Sequence, residues 1–215
     1  FYPNISPYFL KKLFLSLYLC SYLGARIFSL VVEQHIFSPT KILEQLTIIG
    51  SMTFYGGFLA ALVCGFSYLK IKKKNTTPYL NIAIPSTLLG LSIGRIGCFL
   101  NGDDYGVSVQ GNPWWAVTFT NHIEKVPRIP IQLIESFTVF LIVVFLYLKQ
   151  KRRQKIWILG IIFYASLRFF LEFLRDDYRG SLFKLSTSQW IGSFLLLFSF
   201  YFYFKDQRYS KNQEP

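Results

Sequence analysis

The residues best equipped for chemistry lie in one run, Gly94-Arg95-Ile96-Gly97-Cys98-Phe99-Leu100-Asn101-Gly102-Asp103-Asp104-Tyr105-Gly106. It starts as the end of an apolar stretch and finishes as a polar, glycine-rich loop. A guanidinium is thereby held where hydrocarbon meets water, beside glycines that let backbone or ligand approach closely. Its planar fork suits phosphate. Four more ionisable residues interrupt apolar stretches: Arg26, Glu135, Arg168 and Glu172. Each costs about 2.5–3.5 kcal/mol on insertion scales if it faces lipid near the bilayer centre. Arg168 and Glu172 are four apart and share a helical face, so they can pair. Pairing cannot neutralise the whole set, because three arginines face two carboxylates. Arg128 and Arg175 add two more cations close by.

These side chains need elements that carry them into a membrane. The 215 residues are 52% hydrophobic and 19% aromatic with a net charge of +12, which reads as a basic membrane protein. A basic nucleic-acid binder is excluded, since the lysines and arginines cluster between long apolar runs and not on amphipathic faces. Cys20, Cys64 and Cys98 fit no disulfide framework or metal site and read as small buried residues. His35 and His122 stand alone, so neither metal nor cofactor is expected.

A helical crossing takes about 17–25 residues. Six stretches qualify: 9–32, 47–69, 79–100, 130–148, 156–174 and 187–204, with Pro85 expected to kink the third. The expected fold is an all-α, polytopic integral membrane bundle of about six transmembrane helices, with residues 1–215 as a single transmembrane domain. Lys11 and Lys12, then Lys70 to Lys74, then Lys149 to Lys155, then Lys205, Arg208 and Lys211 flank alternate ends of these stretches. The positive-inside rule makes that side cytoplasmic. The opposite loops hold most of the acids, Asp103, Asp104, Asp176 and Asp177 among them. All five intramembrane charges then fall in the outer half of the bilayer, where phospholipid headgroups are the nearest abundant phosphates. The chain begins at Phe1 and not Met; a further helix before Phe1 would move the N-terminus outside without disturbing the rest.

Several elements, in order, resemble the prolipoprotein diacylglyceryl transferase family. Gly24-Ala25-Arg26 is similar to its early Gly-Ala/Gly-Arg element, and Phe54-Tyr55-Gly56-Gly57 to its Phe-His-Gly-Gly. Gly94 to Gly106 resembles its signature Gly-Arg-x-Gly-Asn-Phe-x-Asn-Gly-Glu-x-x-Gly, and Pro113-Trp114 the Pro-Trp that follows. Pro127 to Glu135 resembles Pro-Arg-His-Pro-Ser-Gln-Leu-Tyr-Glu. Tyr164, Arg168, Glu172 and Arg175 match its Tyr-x-x-x-Arg-Phe-x-x-Glu-Phe-x-Arg, and Leu185 to Gln189 resembles Leu-Ser-Met-Gly-Gln.

The resemblance implies a multi-pass enzyme of the bacterial cytoplasmic (inner) membrane. It would pass the diacylglyceryl group of phosphatidylglycerol to the lipobox cysteine of prolipoproteins. The implied partners are phosphatidylglycerol, prolipoprotein signal peptides and membrane lipid, with no nucleic acid. Arg95, Tyr164 and Arg168 take the catalytic places. Arg26, Tyr55, Gly56, Gly57, Asn101, Gly102, Gly106, Glu135 and Glu172 take substrate-binding ones. Tyr55, Cys98, Asp103 and Ile129 stand where the family often has histidine, asparagine, glutamate and histidine. A phenol titrating near 10 is a poorer base than an imidazole near 6.5. These departures make a non-catalytic relative that binds anionic lipid or lipoprotein precursors the alternative. A transporter would spread its charges along a path through the bilayer, whereas these share one depth.

Overall fold

A computed structural model describes residues 5–32, 52–119, 125–150, 155–176, 181–182 and 185–211. The beginning of the second expected span, together with His35, His122, Lys151, Arg152, Arg153 and Asp177, lies outside the described residues. Among the described residues there are six α-helices: α1 (Pro7–Val32), α2 (Phe54–Ile71), α3 (Thr76–Asn101), α4 (Ile131–Lys149), α5 (Ile156–Leu171) and α6 (Thr187–Lys211). A 3-10 turn, Glu172–Leu174, extends α5, and a short antiparallel pair, β1 (Ser181–Leu182) with β2 (Leu185–Ser186), precedes α6. α1, α3, α4 and the continuous stretch Ile156–Leu174 are long and apolar enough to cross a bilayer. α2 and α6 contain shorter apolar stretches, Tyr55–Ile71 and Gln189–Phe204. This is a multi-pass membrane protein built from helices, which satisfy their backbone hydrogen bonds internally where water is absent.

The distribution of side chains fits lipid as the surrounding solvent. Asn81, Ser92, Arg95, Gln132, Glu135, Ser136 and Arg168 are buried, while Leu100, Phe137, Leu148, Phe170, Phe194 and Leu197 are exposed. In water such an arrangement would squander apolar surface; in hydrocarbon it places polar groups against one another.

The chain divides into two compact units, Phe1–Thr76 and Thr77–Pro215. In the first, α1 and α2 pack closely through small residues. A Cβ on Gly24 would come within 2.3 Å of the Ala60 Cβ, and one on Gly56 within 2.2 Å of the Phe28 Cβ. Cys20 and Cys64, expected as small buried residues, are half-buried neighbours here: their free thiols lie 2.7 Å apart, sulfur to sulfur.

In the second unit, Leu88 of α3 packs with Val139 and Leu146 of α4, and Leu159, Tyr164 and Leu167 of α5 close over them. Polar clasps supplement this packing, as is common where lipid tails compete for apolar contacts. Ser92 and Ser136 each donate to the other's carbonyl, at 2.8 and 2.7 Å. The Asn81 Oδ1 accepts from the backbone N–H of Trp157 at 3.1 Å, joining α3 to the start of α5. α3 continues as helix through Pro85. The Gly90–Gly94 spacing suggests close helix packing, but a Cβ at either meets nothing within 4 Å among the described residues. Gly160 is instead the tight position, since a Cβ there would lie 2.7 Å from Ile84 Cγ2. Spacing alone does not say which face of a helix has a neighbour.

The start of α6 explains part of the Leu185 to Gln189 element. The Gln189 N–H donates to the Ser186 Oγ at 3.2 Å, and the Ser186 N–H donates to the Gln189 Oε1 at 2.9 Å. This reciprocal capping box satisfies two amides that the first helical turn leaves without internal partners.

Candidate functional site

The charged groups of the second unit gather where α3 ends, α4 begins and α5 ends. α3 stops at Asn101 because Gly102 takes a left-handed backbone (φ +80°). The Gly102 N–H donates to the Phe99 carbonyl and the Asp103 N–H to the Cys98 carbonyl, at 3.2 and 3.0 Å. This pair of bonds is a Schellman stop, for which glycine is favoured because it has no Cβ to clash. Asn101 donates to the Asp103 carboxylate, and Gln132 of α4 donates to the Asp103 carbonyl at 2.6 Å. The turn is therefore tied to the helix that supplies Glu135.

Beyond the turn the chain runs as an extended strip between two others. The Gly106 N–H donates to the Ile129 carbonyl at 3.3 Å, the Val107 N–H to Leu174 at 2.9 Å, and the Ile129 N–H to Val107 at 3.1 Å. A Cβ on Gly106 would lie 2.6 Å from the Ile129 carbonyl oxygen and 3.0 Å from that of Leu174. Both are backbone atoms held in this ladder, so the strip tolerates no side chain there. Gly106→Ala is expected to cost about 1–3 kcal/mol, as overpacking does. Thermal unfolding in detergent checks this, and an unchanged midpoint would refute the close approach.

The strip delivers Asp104 to the arginines. The Arg95 Nη1 lies 2.5 Å from the Asp104 Oδ2, and the Arg175 Nη2 lies 2.6 Å from its Oδ1. The Arg95 Nε lies 2.7 Å from the Glu135 Oε2, whose residue is 1% exposed. Arg168 Nη2 pairs with Glu172 Oε2 at 2.8 Å, with the Arg175 Nε 4.0 Å from the same oxygen. Arg95, Arg168 and Arg175 thus face Asp104, Glu135 and Glu172. Counting only the charges inside the spans misses Asp104 and Arg175, which come from just beyond the helix ends. Arg168 Nη1 is buried and has no hydrogen-bond partner among the described residues. Tyr164, one turn before Arg168, lies within electrostatic reach of Glu135, Arg168, Arg95 and Arg175.

Arg128 has another task. It is buried, bonds the Gly106 carbonyl at 3.3 Å and Asp176 at 2.5 Å, and lies over the Tyr105 ring at 4.3 Å. It clamps the strip that bears Asp104. Trp114 is 95% exposed, in keeping with the aromatic side chains found at membrane–water boundaries. Cys98 touches the network weakly, its sulfur 3.8 Å from the Arg95 Nη1.

The remaining expected site residues belong to the first unit. Arg26 is buried and donates to the Tyr22 hydroxyl at 3.2 Å. Tyr55 is half exposed, whereas Gly56 and Gly57 are buried at the contact of α2 with α1. The second unit unites Arg95, Tyr164, Arg168, Glu135 and Glu172, with Asn101, Gly102 and Gly106 shaping the loop beside them.

A family model described as prolipoprotein diacylglyceryl transferase matches residues 3–205. The chain belongs to this family. A phosphatidylglycerol–prolipoprotein diacylglyceryl transferase of Clostridium tetani is 31% identical over 196 residues, covering 88% of this chain and 77% of the relative. One from Clostridium botulinum is 30% identical over 212 residues, covering 92% and 81%. A third, from Prochlorococcus marinus, is 25% identical over 203 residues, covering 81% and 67%. The matched region reaches into both units and includes every candidate site residue named above.

Proposed function

We propose that this protein transfers the diacylglyceryl group of phosphatidylglycerol to the lipobox cysteine of a prolipoprotein at the signal peptide, in the bacterial cytoplasmic membrane. The single observation that carries the reading is the buried arginine cluster at one end of the α3–α5 bundle, in a chain that belongs to a transferase family. In the reaction, the cysteine sulfur forms a bond to the terminal glycerol carbon of the diacylglycerol. The carbon–oxygen bond to phosphate breaks, giving a thioether and glycerol phosphate. The thiol loses its proton, and the departing phosphate gains negative charge.

A phosphodiester with one negative charge becomes a monoester able to carry two. Guanidiniums fixed around it therefore bind the transition state more strongly than the ground state, which is the condition for acceleration. Arg95 and Arg168 are assigned to the phosphate, with Glu135 and Glu172 holding their forks in place. Arg168 Nη1 is available as a donor to a phosphate oxygen. Tyr164 orients the reacting groups or exchanges the proton. Asn101, Gly102 and Gly106 shape the loop at the headgroup. Arg26, Tyr55, Gly56 and Gly57 are assigned to substrate binding.

The test is transfer of labelled diacylglycerol from phosphatidylglycerol to a lipobox peptide by the purified protein. A thioether product is expected. Folded, lipid-binding protein that forms none would sink the transferase reading and favour a non-catalytic binder.

A further inference from the structure

Among the three carboxylates of the cluster, Asp104 differs in kind. Glu135 sits on α4 and is 1% exposed, while the Glu172 side chain is 7% exposed in the turn that continues α5. The Asp104 side chain is 24% exposed and comes from a loop. Its backbone is left-handed (φ 58°), a conformation costly for most residues and eased for aspartate and asparagine. Its two oxygens are divided, one to Arg95 and the other to Arg175. Two oxygens on one central atom, carrying one negative charge between two guanidiniums, is also the geometry offered by the non-bridging oxygens of a phosphodiester.

We propose that Asp104 is a built-in stand-in for the substrate phosphate, a latch that holds Arg95 and Arg175 together when no lipid is bound and yields its place when lipid enters. The exchange conserves charge, since one anion replaces another between the same two cations. Asp104 can leave because it is the carboxylate nearest solvent and its backbone lies beyond the α3 stop. Glu135 and Glu172 remain as fixed supports. The latch prevents the guanidiniums from repelling each other in the empty site and excludes anions that cannot displace a carboxylate. The inference rests on the assignment of a phosphate to Arg95, and it deepens that assignment by naming a competitor.

A latch closed about 90% of the time weakens apparent affinity about tenfold, because only the open fraction is competent to bind. The test uses the full chain in phosphatidylcholine nanodiscs, titrated in one arm with phosphatidylglycerol and in the other with inorganic phosphate. Asp104→Asn keeps a residue that tolerates the left-handed backbone but removes the charge. It should bind phosphatidylglycerol about tenfold more tightly than the parent. Tightening in both arms shows that the phosphate group itself displaces Asp104; tightening for the lipid alone shows that the glycerol headgroup is needed as well. Asp103→Asn, whose parent carboxylate pairs with Asn101, controls for simple loss of negative charge.

Unchanged or weaker phosphatidylglycerol binding by Asp104→Asn overturns the latch, and so does equal tightening by Asp103→Asn. Asp104→Gly, which suits the same backbone, is the second variant. Failure of both Asp104 variants to fold also overturns the proposal, since a group that must let go in each cycle cannot be what holds the fold together. The readout is binding, so it separates the two claims. Tighter binding without any transfer would leave the latch standing and defeat the transferase reading, whereas transfer without tightening would do the reverse.

Discussion

Arg95→Lys is expected to lower the turnover number by about two to three orders of magnitude at saturating phosphatidylglycerol, the effect of losing one preorganised donor to developing charge. The charge survives this substitution; the geometry does not. Arg95 meets Glu135 through Nε and Asp104 through Nη1, two nitrogens on different edges of one rigid plane. A lysine ammonium is a single point on a flexible stem and cannot repeat that division. Arg95→Ala goes further, because it leaves Glu135 buried without its cation. Breaking a buried pair from one side costs about 3–5 kcal/mol. Arg95→Ala with Glu135→Gln should recover most of that stability without recovering turnover. Thermal unfolding and the transfer assay, run on the same preparations, separate the two effects. A lysine variant with the parent's turnover would remove Arg95 from the chemistry.

The helices and the ordered motifs are legible in the amino-acid sequence itself, and so is the Arg168–Glu172 pair. All three depend on short-range regularity: apolar runs long enough to cross a bilayer, or a spacing of four on one helical face. The expected ends of the third, fourth and fifth spans lie within a few residues of α3, α4 and the α5 stretch. The partners of Arg95 are another matter. Glu135 is forty positions away, and Asp104 comes from a loop whose course depends on the Schellman stop at Gly102 and the strip through Gly106. Nothing in local spacing specifies that Asp104, and not Asp103, turns toward the arginines.

The excess of positive charge inside the spans suggests an anion, but it overstates the imbalance by leaving out Asp104. Arg175 follows Arg168 by seven but lies past the 3-10 turn on extended backbone, so helical spacing does not account for its place in the cluster. The glycines show the same limit. Gly24 and Gly56 need their lack of a side chain for packing, whereas a Cβ on Gly90 or Gly94, with the more familiar spacing, would meet nothing within 4 Å among the described residues.

Arg168→Lys should separate stability from activity. Arg168 is already paired with Glu172 through Nη2, so a lysine can keep the charge and the buried carboxylate's partner. What it cannot keep is Nη1, a buried donor with no hydrogen-bond partner among the described residues. A buried donor left unsatisfied costs about 1–3 kcal/mol, and more when charged. Removing it from the resting protein should leave the unfolding midpoint unchanged or raise it. On the proposed mechanism the same donor meets a phosphate oxygen as charge develops, so turnover should fall about a hundredfold or more. Loss of activity at equal or greater stability is the signature of a group held for function at the expense of the fold. A fall in both together would instead make Arg168 a structural partner of Glu172. Because Arg95 and Arg168 are assigned to one phosphate, the double lysine variant should lose less than the product of the two single losses. Strictly multiplicative losses would mean that the two guanidiniums act on separate events.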